Sequence, residues 1–142
     1  MAVFDELWQP VVKLQAAVAN GPDAISDADV IRAITDFNDS LAWHVNAETA
    51  ASLLFSAVAP IAVRRPHLTE QLMQEPVWAL MNHLYRDGSS IADWIKYQLA
   101  QPRPFDGVDM ASQQWLRKQA EEPEKIQGYV RRIISEFDKN SE

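Results

Sequence analysis

Apolar residues recur at intervals of three and four along most of the chain, and no stretch alternates apolar and polar positions as a half-buried strand would. The pattern predicts helices throughout. The first covers residues 3–19, with Phe4, Leu7, Trp8, Val11, Leu14, Gln15 and Val18 on one face. Pro10 falls inside it and predicts a kink or break near Trp8, and Asn20-Gly21-Pro22 is a stop signal. The second opens at Ser26-Asp27-Ala28-Asp29, a capping-box-like start. Val30, Ile34, Phe37, Leu41 and Val45 line its apolar face, and Asp29, Arg32, Asp36 and Asp39 the opposite one.

The third helix is predicted after Asn46, over residues 47–59. Ala47, Ala50, Ala51, Leu53, Leu54, Phe55, Ala57 and Val58 make it apolar on nearly all sides, which marks it as the central, buried helix. Pro60 and Pro66 frame a turn holding Arg64 and Arg65, with His67 beside it. Two short helices, 66–74 and 76–87, each begin at a proline and the second ends at Gly88. Ser89 or Ser90 then caps a helix over 91–100. Residues 101–107 form an extended connection, Asp109 caps a helix over 110–121, and Pro123 begins the last one. Its apolar stripe is Ile126, Tyr129, Val130, Ile133, Ile134 and Phe137. The expected fold is an all-α, irregular or orthogonal bundle of seven to eight helices, one domain over residues 1–138 with a polar tail at 139–142.

Composition narrows the chemistry. The chain has 142 residues, 47% of them hydrophobic, and no cysteine. That excludes a disulfide scaffold, a thiolate metal site and a cysteine nucleophile. The start of the chain lacks the positive-then-apolar order of a secretory signal, so a cytoplasmic location is expected. The longest nearly uncharged stretch, residues 49–63, is about 15 residues long, too short for a hydrocarbon core of roughly 30 Å, and no membrane partner is expected.

The net charge is −7, and its placement is uneven. Eight acids stand against two bases before Arg64, a net of −6; twelve stand against eleven from there on, a net of −1. Arg32 can blunt Asp29 and Asp36, whereas Asp5, Glu6, Asp23, Asp27 and Asp39 have no local partner in the sequence. Such a surface argues against binding a phosphate backbone; it reads at least equally as a solubility feature and as one that attracts a basic protein partner.

Catalytic patterns are incomplete. Asp36, Ser40 and His44 share a helical stripe, but a hydrolytic triad needs the histidine between nucleophile and acid. His44, His67 and His83 each have a carboxylate within one turn (Glu48, Glu70 and Asp87), yet Glu-x-x-His and His-Glu-x-x-His are absent. The expected inventory is therefore no catalytic residue, no metal and no cofactor. With four glycines and no Gly-x-Gly, a phosphate loop is not present either. Arg64, Arg65 and His67 form the one basic loop cluster, read as a solvated turn that could also hold a partner's anionic group. Five tryptophans, Trp8, Trp43, Trp78, Trp94 and Trp115, all fall on predicted helices. Trp115 lies on the most polar of these helices and reads equally as a core anchor and as an interface anchor.

The reading that follows is a non-catalytic, acidic protein-binding module. It would inhibit a basic partner such as a toxin or a nucleic-acid-handling complex. Asp5, Glu6, Asp23, Asp27, Asp36, Asp39, Trp115, Arg64 and Arg65 are the candidate contact residues. Two alternatives stand beside it: an assembly subunit forming a homo-oligomer, and a helical enzyme or metal- or ligand-binding bundle using His44, His67 or His83.

Overall fold

The computed structural model describes the chain from residue 2 to 141, with side chains at 6–105 and 107–139. Seven α-helices follow one another: α1 (Ala2–Ala19), α2 (Asp27–Leu41), α3 (Ala47–Arg64), α4 (Thr69–Asn82), α5 (Gly88–Leu99), α6 (Met110–Ala120) and α7 (Pro123–Ser141). Single 3-10 turns at Pro66–Leu68 and Pro104–Asp106 complete the regular structure, and the described residues contain no strand. The fold is an all-α bundle.

Side-chain caps set most of the helix starts. Ser26 accepts from Asp29 N at 3.1 Å, Asn46 from Thr49 N at 2.8 Å, and Asp109 from Ser112 N at 2.8 Å. Each satisfies a backbone N–H that the first helical turn leaves unpaired, worth about 1 kcal/mol. The cap of α5 is Asp87, whose carboxylate accepts from Ser90 N at 2.8 Å, rather than Ser89 or Ser90. Gly88 therefore opens α5 instead of closing α4. Its glycine is required by packing: a Cβ there would collide with the Pro123 carbonyl and with Gln127 N of α7. The Gly88 N–H donates to Gln127 Oε1 at 2.7 Å.

Three expected breaks do not occur. Pro10, Pro60 and Pro76 lie inside α1, α3 and α4, so α3 runs on to Arg64 and the two short helices merge into α4 after a 3-10 turn. An interior proline costs about 3 kcal/mol through its lost hydrogen bond and ring clash. Burial on both sides outweighs it: around Pro60, Ala57, Val58, Ala59, Ile61 and Ala62 are all fully buried. At 18 residues, α3 is long and apolar enough to cross a membrane by length and composition only, a test that a buried core helix also passes, and 56% of it is buried inside the bundle. Here α1, α2, α4 and α6 pack around it, and Leu54 and Phe55 sit at the centre of the core.

The stripe of α7 is only partly covered. Ile126, Val130 and Ile133 are buried, while Ile134 and Phe137 are exposed and α7 continues as helix to Ser141.

The direction of the first four helices decides which loops share an end. Trp8 meets Phe37 edge-on at 5.8 Å, so the start of α1 lies beside the end of α2. His83 after α4 reaches Glu48 at the start of α3 at 3.0 Å. Arg65 after α3 reaches Asp27 at the start of α2 at 3.0 Å. One end of the bundle thus gathers the start of α1, the α2–α3 turn and the α4–α5 turn. The opposite end gathers the α1–α2 loop and the α3–α4 turn.

Candidate functional site

The end that gathers the α2–α3 and α4–α5 turns exposes two large apolar side chains, Trp43 at 87% and Leu84 at 80%, the most exposed large hydrophobic residues described. Trp43 is in a turn and not on a helix. α2 stops at Leu41 because Asn46 takes the extended backbone of an N-cap, φ −73° and ψ 168°, which forces a turn over residues 42–45. Val45 continues the apolar stripe into that turn and is half-buried there, leaving Trp43 to point away.

Leu84 is held out by backbone geometry. The Tyr85 N–H donates to the Leu80 carbonyl at 3.0 Å and the Leu84 N–H to the Met81 carbonyl at 3.2 Å. This pair of bonds defines a Schellman ending of α4, with Leu84 at the position that glycine normally fills. Leu84 adopts φ +76°, where a side chain with a Cβ is strained by about 1–2 kcal/mol. A strained, solvent-exposed leucine is a feature that folding alone does not favour.

Beneath these residues the two turns are tied to the core through Glu48. Its Oε1 accepts from the Trp94 indole N–H at 3.0 Å, and its Oε2 pairs with His83 Nε2 at 3.0 Å. Trp94 is buried against Phe55 and Phe105, with ring centroids 5.7 and 6.0 Å away. The His83 ring also stacks on Tyr85 at 5.8 Å. Both turns therefore stand on a fixed support, and Trp43 and Leu84 are presented from it.

The charge at this end is strongly negative. Residues 2–8, 36–48 and 82–88 carry six acids (Asp5, Glu6, Asp36, Asp39, Glu48 and Asp87) and one base, Arg86. That net of −5 accounts for most of the chain's −7. Glu6, Asp36 and Asp39 are exposed, and the side chain of Asp5 lies outside the described residues. Asp36 lies five residues, about 7–8 Å of helix, before α2 ends at Leu41.

The remaining candidates go elsewhere. Asp23, Asp27, Arg64 and Arg65 lie at the opposite end. Arg65 is not part of a solvated turn: it is buried, and its guanidinium holds Asp27 Oδ1 at 3.0 Å and the Gly21 and Pro22 carbonyls at 3.3 and 3.4 Å. It fastens the α1–α2 loop to the end of α3. His67 donates to Asp27 Oδ2 at 2.8 Å. That hydrogen bond holds the Asp27 carboxyl below its ordinary value; desolvation opposes it, and the charges of His67 and Arg65 reinforce it. Asp27 thus has two partners contributed by distant sequence, and Arg64 is the exposed arginine of the cluster. Trp115 is half-buried against the core, so the exposed tryptophan is Trp43 instead.

The histidines do not use the carboxylates one turn away. His67 and His83 take tertiary partners, Asp27 and Glu48, at opposite ends, and His44 is exposed in the α2–α3 turn. Among the described residues no three His, Asp or Glu side chains are grouped as metal ligands. Comparison with known protein families, characterised proteins and solved structures finds no match.

Proposed function

We propose that this protein is a protein-binding module whose docking end is built around Trp43 and Leu84, and that its partner presents a basic surface. The observation that carries this reading is the pairing of the two most exposed large apolar side chains with the most acidic end of the bundle. Tryptophan is enriched at interface hot spots, where one residue supplies 2 kcal/mol or more, roughly a thirtyfold change in affinity. The surrounding carboxylates would speed encounter with a basic partner and repel acidic ones. The same charge disfavours the homo-oligomer: a two-fold contact through this end would bring two sets of carboxylates together. An inhibitor that covers the basic face of a toxin or of a nucleic-acid-handling complex is the function that suits this end.

The experiment compares wild type, Trp43→Ala and the double variant Asp36→Lys/Asp39→Lys, each immobilised and exposed to the same cell extract across a salt series. The expected result is a protein of basic surface retained by wild type, lost with Trp43→Ala, lost with the charge reversal, and released as salt rises. Identical retention by all three, or no salt dependence, contradicts the proposal.

A further inference from the structure

A second feature lies beside the exposed end, between the start of α1 and the end of α2. α1, α2 and α3 enclose, together with the loop before α6, a cavity of about 570 Å³. Its walls are chiefly Trp8, Phe37, Leu41, Leu53, Phe105 and Val108. That volume lies within the range of small-molecule sites, which combine apolar walls with a few converging polar groups.

The loop wall is held in place by an unusual backbone. Phe105 adopts φ +49° and ψ +47°, and Gly107 follows at φ +81°. The turn buries the Phe105 ring between Phe55 and Trp94, and the Phe105 carbonyl accepts from the Ser56 hydroxyl at 3.1 Å. Val108 and Asp109 are thereby placed over the cavity.

The polar groups of the cavity define the ligand. Ser56 Oγ has one proton and two carbonyls within reach, Ser52 at 3.0 Å and Phe105 at 3.1 Å, so it offers a ligand only lone pairs. Gln15 Nε2 donates to the Ala57 carbonyl at 3.1 Å, which turns Oε1 into an open acceptor. Asp109 Oδ1 accepts from Ser112 N, and Oδ2 has no hydrogen-bond partner among the described residues. Among the described residues, Asp109 is also the one charged residue lining the cavity. The open groups are therefore three acceptors, one of them charged, and the second Gln15 N–H, around aromatic and aliphatic walls.

We infer that this cavity binds a small hydrophobic amine, with the aryl or alkyl body among Trp8, Phe37 and Phe105 and the ammonium at Asp109. Charge-assisted hydrogen bonding to the free carboxylate oxygen selects the cation, and the same carboxylate repels a ligand carboxylate. The site is distinct from the exposed pair, since neither Trp43 nor Leu84 lines it.

The test uses three probes with one skeleton: phenylbutylamine, phenylbutanol and phenylbutanoate, titrated by calorimetry into the full chain. The amine is expected to bind at least about tenfold more tightly than the alcohol, with no binding of the carboxylate. Asp109→Asn keeps the α6 cap, because asparagine caps as well as aspartate, but removes the charge. It is expected to melt like wild type and to bind the amine no better than the alcohol. Val108→Trp fills the cavity and is expected to abolish binding of the amine and the alcohol. Failure of wild type to bind the amine, equal binding of amine and carboxylate, or an amine preference that survives Asp109→Asn overturns the inference. The last result would mark binding to the general negative surface.

Discussion

Replacing Leu84 with glycine should make the protein more stable, an unusual outcome for deleting a leucine. The side chain is 80% exposed, so its removal forfeits little apolar burial. Its backbone sits at φ +76°, costing about 1–2 kcal/mol that glycine does not pay. Against this, glycine adds about 0.5–1 kcal/mol of unfolded-chain entropy. The net is a gain of about 0.5–1 kcal/mol, or roughly 1–4 °C in Tm for a chain of this size. Thermal and urea unfolding followed by circular dichroism would measure it. Leu84→Ala is the control: it retains the Cβ and the strain, and should stay within about 0.5 kcal/mol of wild type. A Tm that falls in Leu84→Gly, or an equal gain in Leu84→Ala, refutes the strain argument. A gain in stability accompanied by weaker partner binding is the expected signature of a residue kept for docking.

Three further outcomes test the fold and its ties. Trp94→Ala empties the space between Phe55 and Phe105 and frees the Glu48 carboxylate; it should cost about 4 kcal/mol by urea unfolding, and a loss under about 1 kcal/mol would show that this ring is not a core member. Gly88→Ala drives a methyl into the α7 backbone and should cost about 3 kcal/mol, readable as a lowered urea midpoint, whereas Ser89→Ala on the exposed side should be near neutral. The depressed carboxyl of Asp27 adds stability that is fully present above its unfolded value of 3.8 and is lost as pH falls through the folded value below it. Asp27→Asn should therefore flatten the decline of the urea midpoint between about pH 5 and pH 3 relative to wild type; parallel declines would contradict the assignment.

The helical class was legible because the apolar period persists from α1 to α7, and Ser26, Asn46 and Asp109 announce their helices through local hydrogen bonds three residues long. What local pattern could not resolve was tertiary in origin. Pro10, Pro60 and Pro76 read as breaks, yet each lies inside a continuous helix, Pro60 and Pro76 within buried stretches. Gly88 read as a turn residue, yet its glycine answers to the backbone of α7, 35 or more residues away. Arg65 read as solvated because its partners, Asp27 and the Gly21 and Pro22 carbonyls, are separated from it by about forty residues. Trp43 was assigned to a helix because Leu41 and Val45 prolong the stripe of α2. The available signal was Asn46: an N-cap there needs an extended residue and hence a turn before it. Leu84 carried no signal, since nothing in the sequence marks a leucine in a glycine position.

The central claim is that Trp43 binds and does not stabilise. The most direct measurement pairs the urea midpoint of Trp43→Ala with its affinity for the retained basic partner. At 87% exposure the substitution should move stability by less than about 0.5 kcal/mol, and affinity should fall roughly thirtyfold. Unchanged affinity with unchanged stability, or a loss of affinity fully accounted for by unfolding, would contradict it.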